Sequence, residues 1–220
     1  MIKHDEVLRA LRTALLSLEF ATTGVTTLGA IATGFTRTSG SFIADGFASG
    51  MEITPFGFAS TTPLVISRVE DLRLTVDTPI ATQAAAANRR LVAELPAVRG
   101  WVDWPIEPVV GRPYIEEDYL FGPSEQPGVG PYSTVIGEPV YVVRFYVPSG
   151  VGFLASAKYV GAMLRHFAPG KAMALASGGV VRVRTNPAPF AGQTLTRTDA
   201  PRWSQNPVTV PLRLSALNTI

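Results

Sequence analysis

Short strand-like segments separated by glycines fill residues 21–62, and they constrain the fold more than any other feature. This stretch is rich in Thr, Gly, Ala, Ser and Phe and nearly free of charge. Gly46 and Gly50 are candidate turn residues, because glycine tolerates positive φ angles. Strand composition recurs four times in and just beyond it: 26–33, 51–54, 64–69 and 72–76.

Five phenylalanines in the same region are candidates for an apolar interior: Phe35, Phe42, Phe47, Phe56 and Phe58. In the last strand segment, Leu72, Leu74 and Val76 alternate with polar residues, as expected for a strand with one buried face. We therefore predict a small β-barrel or open β-roll at about 20–95. Within it, the alanine-rich segment 82–88 is predicted to be a connector, helical or coiled.

Two segments have the apolar spacing of amphipathic helices. The first covers 5–19, with Asp5 as its N-cap and a leucine-rich face: Val7, Leu8, Leu11, Leu15, Leu16 and Leu18. The second covers about 153–168 and ends at Pro169–Gly170. Its predicted buried face consists of Leu154, Ala157, Val160, Leu164 and Phe167.

Further strand patterns follow residue 96: 98–104, 112–120, 138–148, 180–184 and 208–214. Segment 138–148 is apolar on both faces apart from Arg144, which indicates a central strand. Pro211 lacks an amide hydrogen, so the last strand is predicted to be an edge strand or to carry a bulge. The proline-rich loop 122–131 is predicted to be long and mobile.

These patterns predict an α+β fold with two helices packed on a mixed or antiparallel sheet of four or five strands. The α+β domain would consist of residues 1–19 plus 96–220. The β-barrel-like domain at 20–95 would be inserted into it after the first helix. The ends of the insert would then lie close together, as inserted domains require.

Composition narrows the class of protein. Charged residues make up 16% of the chain and hydrophobic residues 46%, against about 25% charged in typical soluble domains. An efficient β-rich core would explain this, and so would a protomer whose apolar surface is covered by neighbours; we favour the second. The net charge of +2 and the scattered basic residues do not indicate sequence-specific nucleic-acid binding. Passive contact with DNA stays open.

Cysteine is absent, so disulfides and thiolate sites are excluded. No apolar run reaches the length of about 18 residues that a membrane span needs. The first residues also lack the hydrophobic region of a signal peptide. We therefore predict a protein that is made in a cytoplasm, stays there and does not contact membranes.

Candidate chemistry is sparse. His4 and His166 are the only histidines, too few for a typical zinc site. Glu116 and Asp118 would share one face of a strand, but no third ligand is near in sequence, which favours a solvated or inter-subunit charged face. No phosphate-binding glycine loop or serine-nucleophile motif occurs. We predict no catalysis, no metal and no cofactor.

Arg182 and Arg184 would lie on one face of a strand, with Arg144 near them. This basic stripe could face DNA or an acidic partner ring, or it could be a solvated surface; the pattern leaves these alternatives open.

Several segments resemble the tail terminator family of long, non-contractile phage tails: 111–120, 138–146, 150–153, 166–170, 187–190 and 203–214. The resemblance covers 1–19 and 96–220, and the insert is similar to small β-modules of phage structural proteins. It implies a hexameric ring in the virion tail or neck, assembled in the host cytoplasm. This ring would cap the tail tube protein, end its polymerisation and provide the attachment surface for head-completion or neck proteins.

The resemblance makes six residues candidates for assembly interfaces: Arg112, Tyr114, Glu116, Asp118, Arg182 and Arg184. Two alternatives remain. One is another neck or minor tail structural protein, such as a head–tail stopper or connector. The other is a β-module that binds a host or a carbohydrate.

Overall fold

The structure is a computed structural model that describes residues 3–101, 109–125, 134–148, 154–189, 193–195 and 203–217. Most of its secondary structure is β-strand, arranged in two sheets, with two helices. The two helices are α1 (His4–Leu16) and α2 (Leu154–His166). The strands of the first sheet are β1 (Ala21–Thr22), β2 (Thr26–Ile31), β3 (Gly34–Arg37), β4 (Glu52–Phe56), β5 (Leu64–Val69), β6 (Arg73–Val76) and β7 (Gln83–Ala93). Those of the second are β8 (Val98–Trp101), β9 (Tyr114–Leu120), β10 (Ser124–Glu125), β11 (Thr134–Gly137), β12 (Val140–Pro148), β13 (Ala172–Ala174), β14 (Val180–Val183), β15 (Ala188–Pro189), β16 (Gln193–Leu195) and β17 (Trp203–Leu217).

The first sheet closes into a six-stranded antiparallel barrel in the order β7–β2–β3–β6–β5–β4–β7. Closure comes from pairing between β4 and β7, from Ile53↔Ala93 to Phe56↔Arg90. Phe35, Phe42 and Phe47 are buried as predicted, whereas Phe56 and Phe58 are half-buried. The predicted connector at 82–88 was wrong, because most of it belongs to β7. Its exposed alanines carry no alternating pattern that could have indicated a strand.

The second sheet is a ten-stranded half-barrel with the order β10–β11–β17–β12–β9–β8. β8 pairs with β9 in parallel, while the other pairs are antiparallel. β12 lies between β9 and β17, as its apolar pattern predicts. Three short strands, β14, β15 and β16, pair along the other edge of β17, and β13 extends β14.

β17 is a central strand, so the prediction of an edge or bulged strand at Pro211 was wrong. It pairs with β11 and β12 along one edge and with β14, β15 and β16 along the other, without a register shift. The amide of Arg184 donates to the carbonyl of Pro211. Because the nitrogen and carbonyl of one strand residue point to the same edge, the Pro211 nitrogen also faces Arg184, just beyond the end of β14. The missing amide hydrogen therefore removes no bond from a strand ladder.

The α+β fold class was also wrong. Among the described residues strands greatly outnumber helices, and no layer of helices packed on a sheet defines the architecture. Both helices form close to their predicted limits, but seven strands of two to four residues show no readable alternation. Those strands tip the balance toward a mainly β protein: β1, β3, β10, β11, β13, β15 and β16.

The two helices differ in how well their buried faces could be predicted. On α1, Val7, Leu11 and Leu15 are fully buried, as the leucine pattern indicates. On α2 the predicted face was wrong in part: Phe167 is buried, but Leu154 is 58% exposed, and the buried face includes Tyr159 and Met163.

One hydrophobic core joins the barrel, the half-barrel and both helices. Phe20 meets the ring of Tyr159 edge-on at 4.6 Å, and Phe145 of β12 stacks on the same ring at 5.3 Å. Aromatic pairs of this kind stabilise a fold by about 1 kcal/mol beyond area burial. Tyr159 therefore connects the start of the barrel to the centre of the second sheet.

Some predicted features lie outside the described residues. These are the end of the strand predicted at 98–104, most of the loop at 122–131 and the family-like segment 150–153.

The strands of the barrel lie within 21–93 and those of the second sheet within 98–217. We propose that residues 20–95 form an inserted domain, and we predict that replacing them with a short Gly-Ser linker leaves a folded second sheet. Its melting temperature should fall, because Tyr159 loses the ring of Phe20. Circular dichroism would measure both effects, and an unfolded product would show that the boundary is wrong.

Candidate assembly surfaces

The segment 114–120 forms β9, and its residues alternate between two faces of the sheet. Ile115, Glu117 and Tyr119 are buried in the main core. Tyr114, Glu116 and Asp118 lie on the opposite face, called here the outer face of β9. The structure thus brings three of the six candidate interface residues together.

The outer face of β9 is ordered by contacts with β12. The rings of Tyr114 and Tyr146 stack with centroids 4.2 Å apart and planes 4° from parallel. The Tyr146 hydroxyl donates to Glu116 Oε2 at 2.7 Å, and Arg144 Nη2 donates to Asp118 Oδ2 at 3.4 Å. Burial, and then the hydrogen bond to Glu116, raise the pKa of Tyr146. The acidic groups of this face are therefore held in defined positions by contacts within the chain itself.

Glu117, the middle carboxylate of the acidic run, has a structural position that the sequence did not reveal. It is 1% exposed. The Tyr141 hydroxyl donates to its Oε2 at 2.7 Å, and Arg12 Nε of α1 donates to its Oε1 at 3.4 Å. Burial, followed by the charge of Glu117, raises the pKa of Tyr141 well above its ordinary value. This buried carboxylate links α1 to the sheet.

Arg112 precedes β9 and does not join its outer face. Its Nη1 donates to Glu52 Oε1 of the barrel strand β4 at 3.1 Å, and the amide of Ala97 donates to Glu52 Oε2 at 2.9 Å. Glu52 is 4% exposed. In the sequence Glu52 is the one acidic residue of the predicted strand 51–54. That position was the only sequence signal that could have marked it as a buried, paired carboxylate. Arg112 therefore joins the two sheets within one chain.

Arg182 and Arg184 both project from the outer side of β14 and are exposed. Arg182 lies directly opposite Arg213 of β17, which is also exposed. Arg184 Nη1 donates to Glu138 Oε2 at 2.6 Å. Arg144 does not join them, because it is opposite Pro207, six residues from Arg213 and so about 20 Å along β17. Like charges placed opposite each other destabilise a sheet by up to about 1 kcal/mol.

The described ranges also contain both histidines and most of the acidic residues that were candidates for chemistry. No group of three or more His, Cys, Asp or Glu residues there could hold a metal ion. His4 Nδ1 lies 3.4 Å from the Tyr119 hydroxyl. His166 is at the end of α2, where burial and then the charge of Lys171 lower its pKa. Neither described helix is long and apolar enough to cross a membrane.

Comparison with known proteins identifies the class. The family model for "Phage tail terminator protein" matches residues 68–212, more than half of the chain and parts of both sheets. The chain belongs to the phage tail terminator family, a structural and non-enzymatic family of virion tail proteins. The resemblance to that family is thereby confirmed, and the match begins inside the barrel, before residue 96.

Curated proteins and solved structures give no further information on the function of this chain. No curated protein matches the chain. A solved structure resembles 55% of this chain and 79% of its own length, with 18% sequence identity and a TM-score of 0.42. A likeness at that level carries no argument about fold or function.

Glu52→Ala should destabilise the protein by about 3 kcal/mol, because it leaves the Ala97 amide without its acceptor and Arg112 without its counter-charge. Urea unfolding would measure the change. Glu94→Ala is the matched control: Glu94 is exposed, follows the neighbouring strand β7 and should change stability by less than about 0.5 kcal/mol. Equal effects of the two substitutions would contradict a special role for Glu52.

Stability should fall as the pH rises from about 10 to 12. Burial raises the pKa of Tyr119 from its ordinary 10.0 to about 12. Unfolded Tyr119 thus loses its proton first, and its ionisation favours unfolding. Urea unfolding with tyrosinate absorbance across this range would measure the effect.

Burial lowers the pKa of Lys158 and Lys171, and these groups act in the opposite direction. The difference between wild type and Tyr119→Phe therefore isolates the tyrosine. The variant should lose less stability over the same interval. An identical decline in both proteins would rule out the assignment to Tyr119.

Proposed function

We propose that this chain is a tail terminator that forms a hexameric ring, caps the last ring of tail tube protein and ends tube polymerisation. The opposite side of the ring provides the attachment surface for the head-completion or neck proteins, and assembly takes place in the host cytoplasm. The observation that carries the proposal is the family match over residues 68–212. In this proposal the ring acts through surfaces that are complementary to the tube and neck proteins, and it makes or breaks no covalent bond.

The chemistry of the surface supports an assembly role. Large apolar side chains are exposed on the barrel, on α2 and at the end of β9, among them Ile43, Leu154 and Phe121. Exposed apolar side chains of this size favour burial against another protein. The low content of charged residues, 16%, points the same way.

The exposed arginines are the proposed polar contacts of this assembly. Arg182 and Arg213 repel each other in the free subunit, and an acidic surface of a neighbouring subunit or of the tube would relieve that repulsion. The outer face of β9, with Tyr114, Glu116 and Asp118, offers a second, preformed contact. Contact with DNA passing through the ring is passive in this proposal and involves no base recognition.

The ring predicts a particle of six chains. Light scattering on the purified protein, alone or with tube protein, should give six times the 23.5 kDa of one chain. Electron microscopy of phage lacking the protein should show overlong tails without heads, because nothing stops tube growth. A protein that stays monomeric and fails to cap tubes in vitro would contradict the proposal.

The same assays test the arginine contact. Arg182→Glu should weaken assembly, because it removes a cation from the proposed contact and places an acid in it. Arg73→Glu is the control, since Arg73 is exposed on the barrel strand β6 and donates to Thr33 Oγ1. Equal behaviour of the two variants would exclude Arg182 from the interface.

A further inference from the structure

The barrel is closed at one end and split at the other. β4 pairs with β7 only as far as Phe56↔Arg90. Gly57, with a φ of +79°, then turns the chain away, while β7 remains paired with β2 as far as Gln83. A cavity of about 130 Å³ lies where the two strands separate. We call it the seam pocket.

The seam pocket has an apolar interior and a polar rim. Its lining comes from the barrel alone: Ala30, Phe35, Pro55, Phe58, Ala59, Ser60, Leu64, Ile80, Ala81 and Gln83. Ala30, Phe35 and Leu64 are buried parts of the core. An apolar cavity of about 150 Å³ accepts benzene. The seam pocket is thus close to the size that a single phenyl group needs.

Arg89 holds the walls of the pocket in place. Its guanidinium lies 4.5 Å from the centre of the Phe58 ring. Its Nε donates to the carbonyl of Gly57 at 3.2 Å, and its Nη1 donates to that of Leu28 at 2.8 Å. One side chain thereby connects the β4 side of the split to the β2 side. The pocket is therefore formed before any ligand enters, which lowers the entropic cost of binding.

A phenyl group of matching size is exposed elsewhere on the chain. Phe121, just after β9, is 68% exposed. The ring of His4 meets it edge-on at 4.6 Å, and the ring of Tyr119 does so at 5.3 Å. These contacts hold the projecting ring, so little side-chain entropy is lost when it is buried. Among the described exposed large apolar residues the others are aliphatic.

Phe121 does not contact the seam pocket of its own chain. It is held beside His4 at the start of α1, and α1 extends about 20 Å before the chain enters the barrel. The pocket is lined by barrel residues alone, and neither Phe121 nor the His4 and Tyr119 that hold it is among them. An occupant that matches the pocket is therefore available on a second copy.

We propose that Phe121 of one copy inserts into the seam pocket of the next copy. The two patches are different parts of the surface, so the contact is heterologous and repeats from copy to copy until a ring closes. This inference rests on the proposed ring function and assigns one contact within it. It also gives the barrel a role in assembly.

Two substitutions separate the two halves of the contact. Phe121→Ala removes the projecting ring, while Ala81→Leu fills the pocket from its exposed rim. Each variant alone should weaken assembly by about tenfold or more, the effect of losing a central interface residue. Leu72→Ala and Ala85→Leu are the matched controls, because both sites are exposed on the barrel and neither lines the pocket.

Mixing the two variants is the decisive measurement. Phe121→Ala keeps its pocket and Ala81→Leu keeps its projecting ring, so one productive contact remains. Light scattering should detect a one-to-one heterodimer in the mixture at a concentration at which neither variant alone forms dimers. Circular dichroism would show that both variants are folded.

Cross-linking gives an independent readout, because the chain contains no cysteine. Leu120→Cys combined with Ser60→Cys places thiols beside the ring and on the pocket rim. Oxidation should link copies into a ladder that ends at six. The control pair Leu72→Cys with Ser60→Cys should not form this ladder.

Three results would overturn the proposal. If Phe121→Ala and Ala81→Leu both assemble and cap tubes like wild type, the contact is wrong and the ring function stands. If they fail separately but the mixture forms no heterodimer, the two patches do not bind each other. If wild type itself neither assembles nor caps tubes, the ring function is overturned as well.

Discussion

Glu52 lies on a barrel strand, yet its carboxylate is bonded to groups from the second half of the chain. One oxygen accepts from the Ala97 amide and the other from Arg112, while its own amide donates to the Tyr159 hydroxyl at 3.4 Å. A buried carboxylate is costly unless it is paired and hydrogen-bonded. The charge therefore specifies how the two sheets meet, because few other arrangements would satisfy it.

Sequence periodicity was sufficient where an element is long and has one buried face. The leucine spacing of α1 and the apolar run of β12 are of this kind, and both elements lie where they were predicted. It failed for seven strands of two to four residues and for the alanines of β7, although it found β6 and β14, which have four residues each. The α+β class followed from that failure, because the two helices stood out while half of the strands did not.

The candidate surfaces could be predicted only in part. Alternation correctly placed Glu116 with Asp118 and Arg182 with Arg184, since neighbours on one strand obey a local rule. Contacts between distant residues follow no such rule. That is why Arg112 was grouped with β9 although it binds Glu52, and why Arg144 was expected beside arginines that lie about 20 Å away. The seam pocket depends on where β4 and β7 diverge, which no local pattern encodes.

The position of β17 has a consequence for the order of folding. Among the described strands β17 comes last in sequence, and five others pair with it: β11, β12, β14, β15 and β16. The barrel strands end at residue 93 and can pair while synthesis continues, whereas the half-barrel lacks its centre until the ribosome has passed residue 217. Pairings between distant residues form slowly. A nascent chain thus carries a complete barrel and an unfinished half-barrel, so the outer face of β9 and the arginines of β14 become ordered only after β17 has been made.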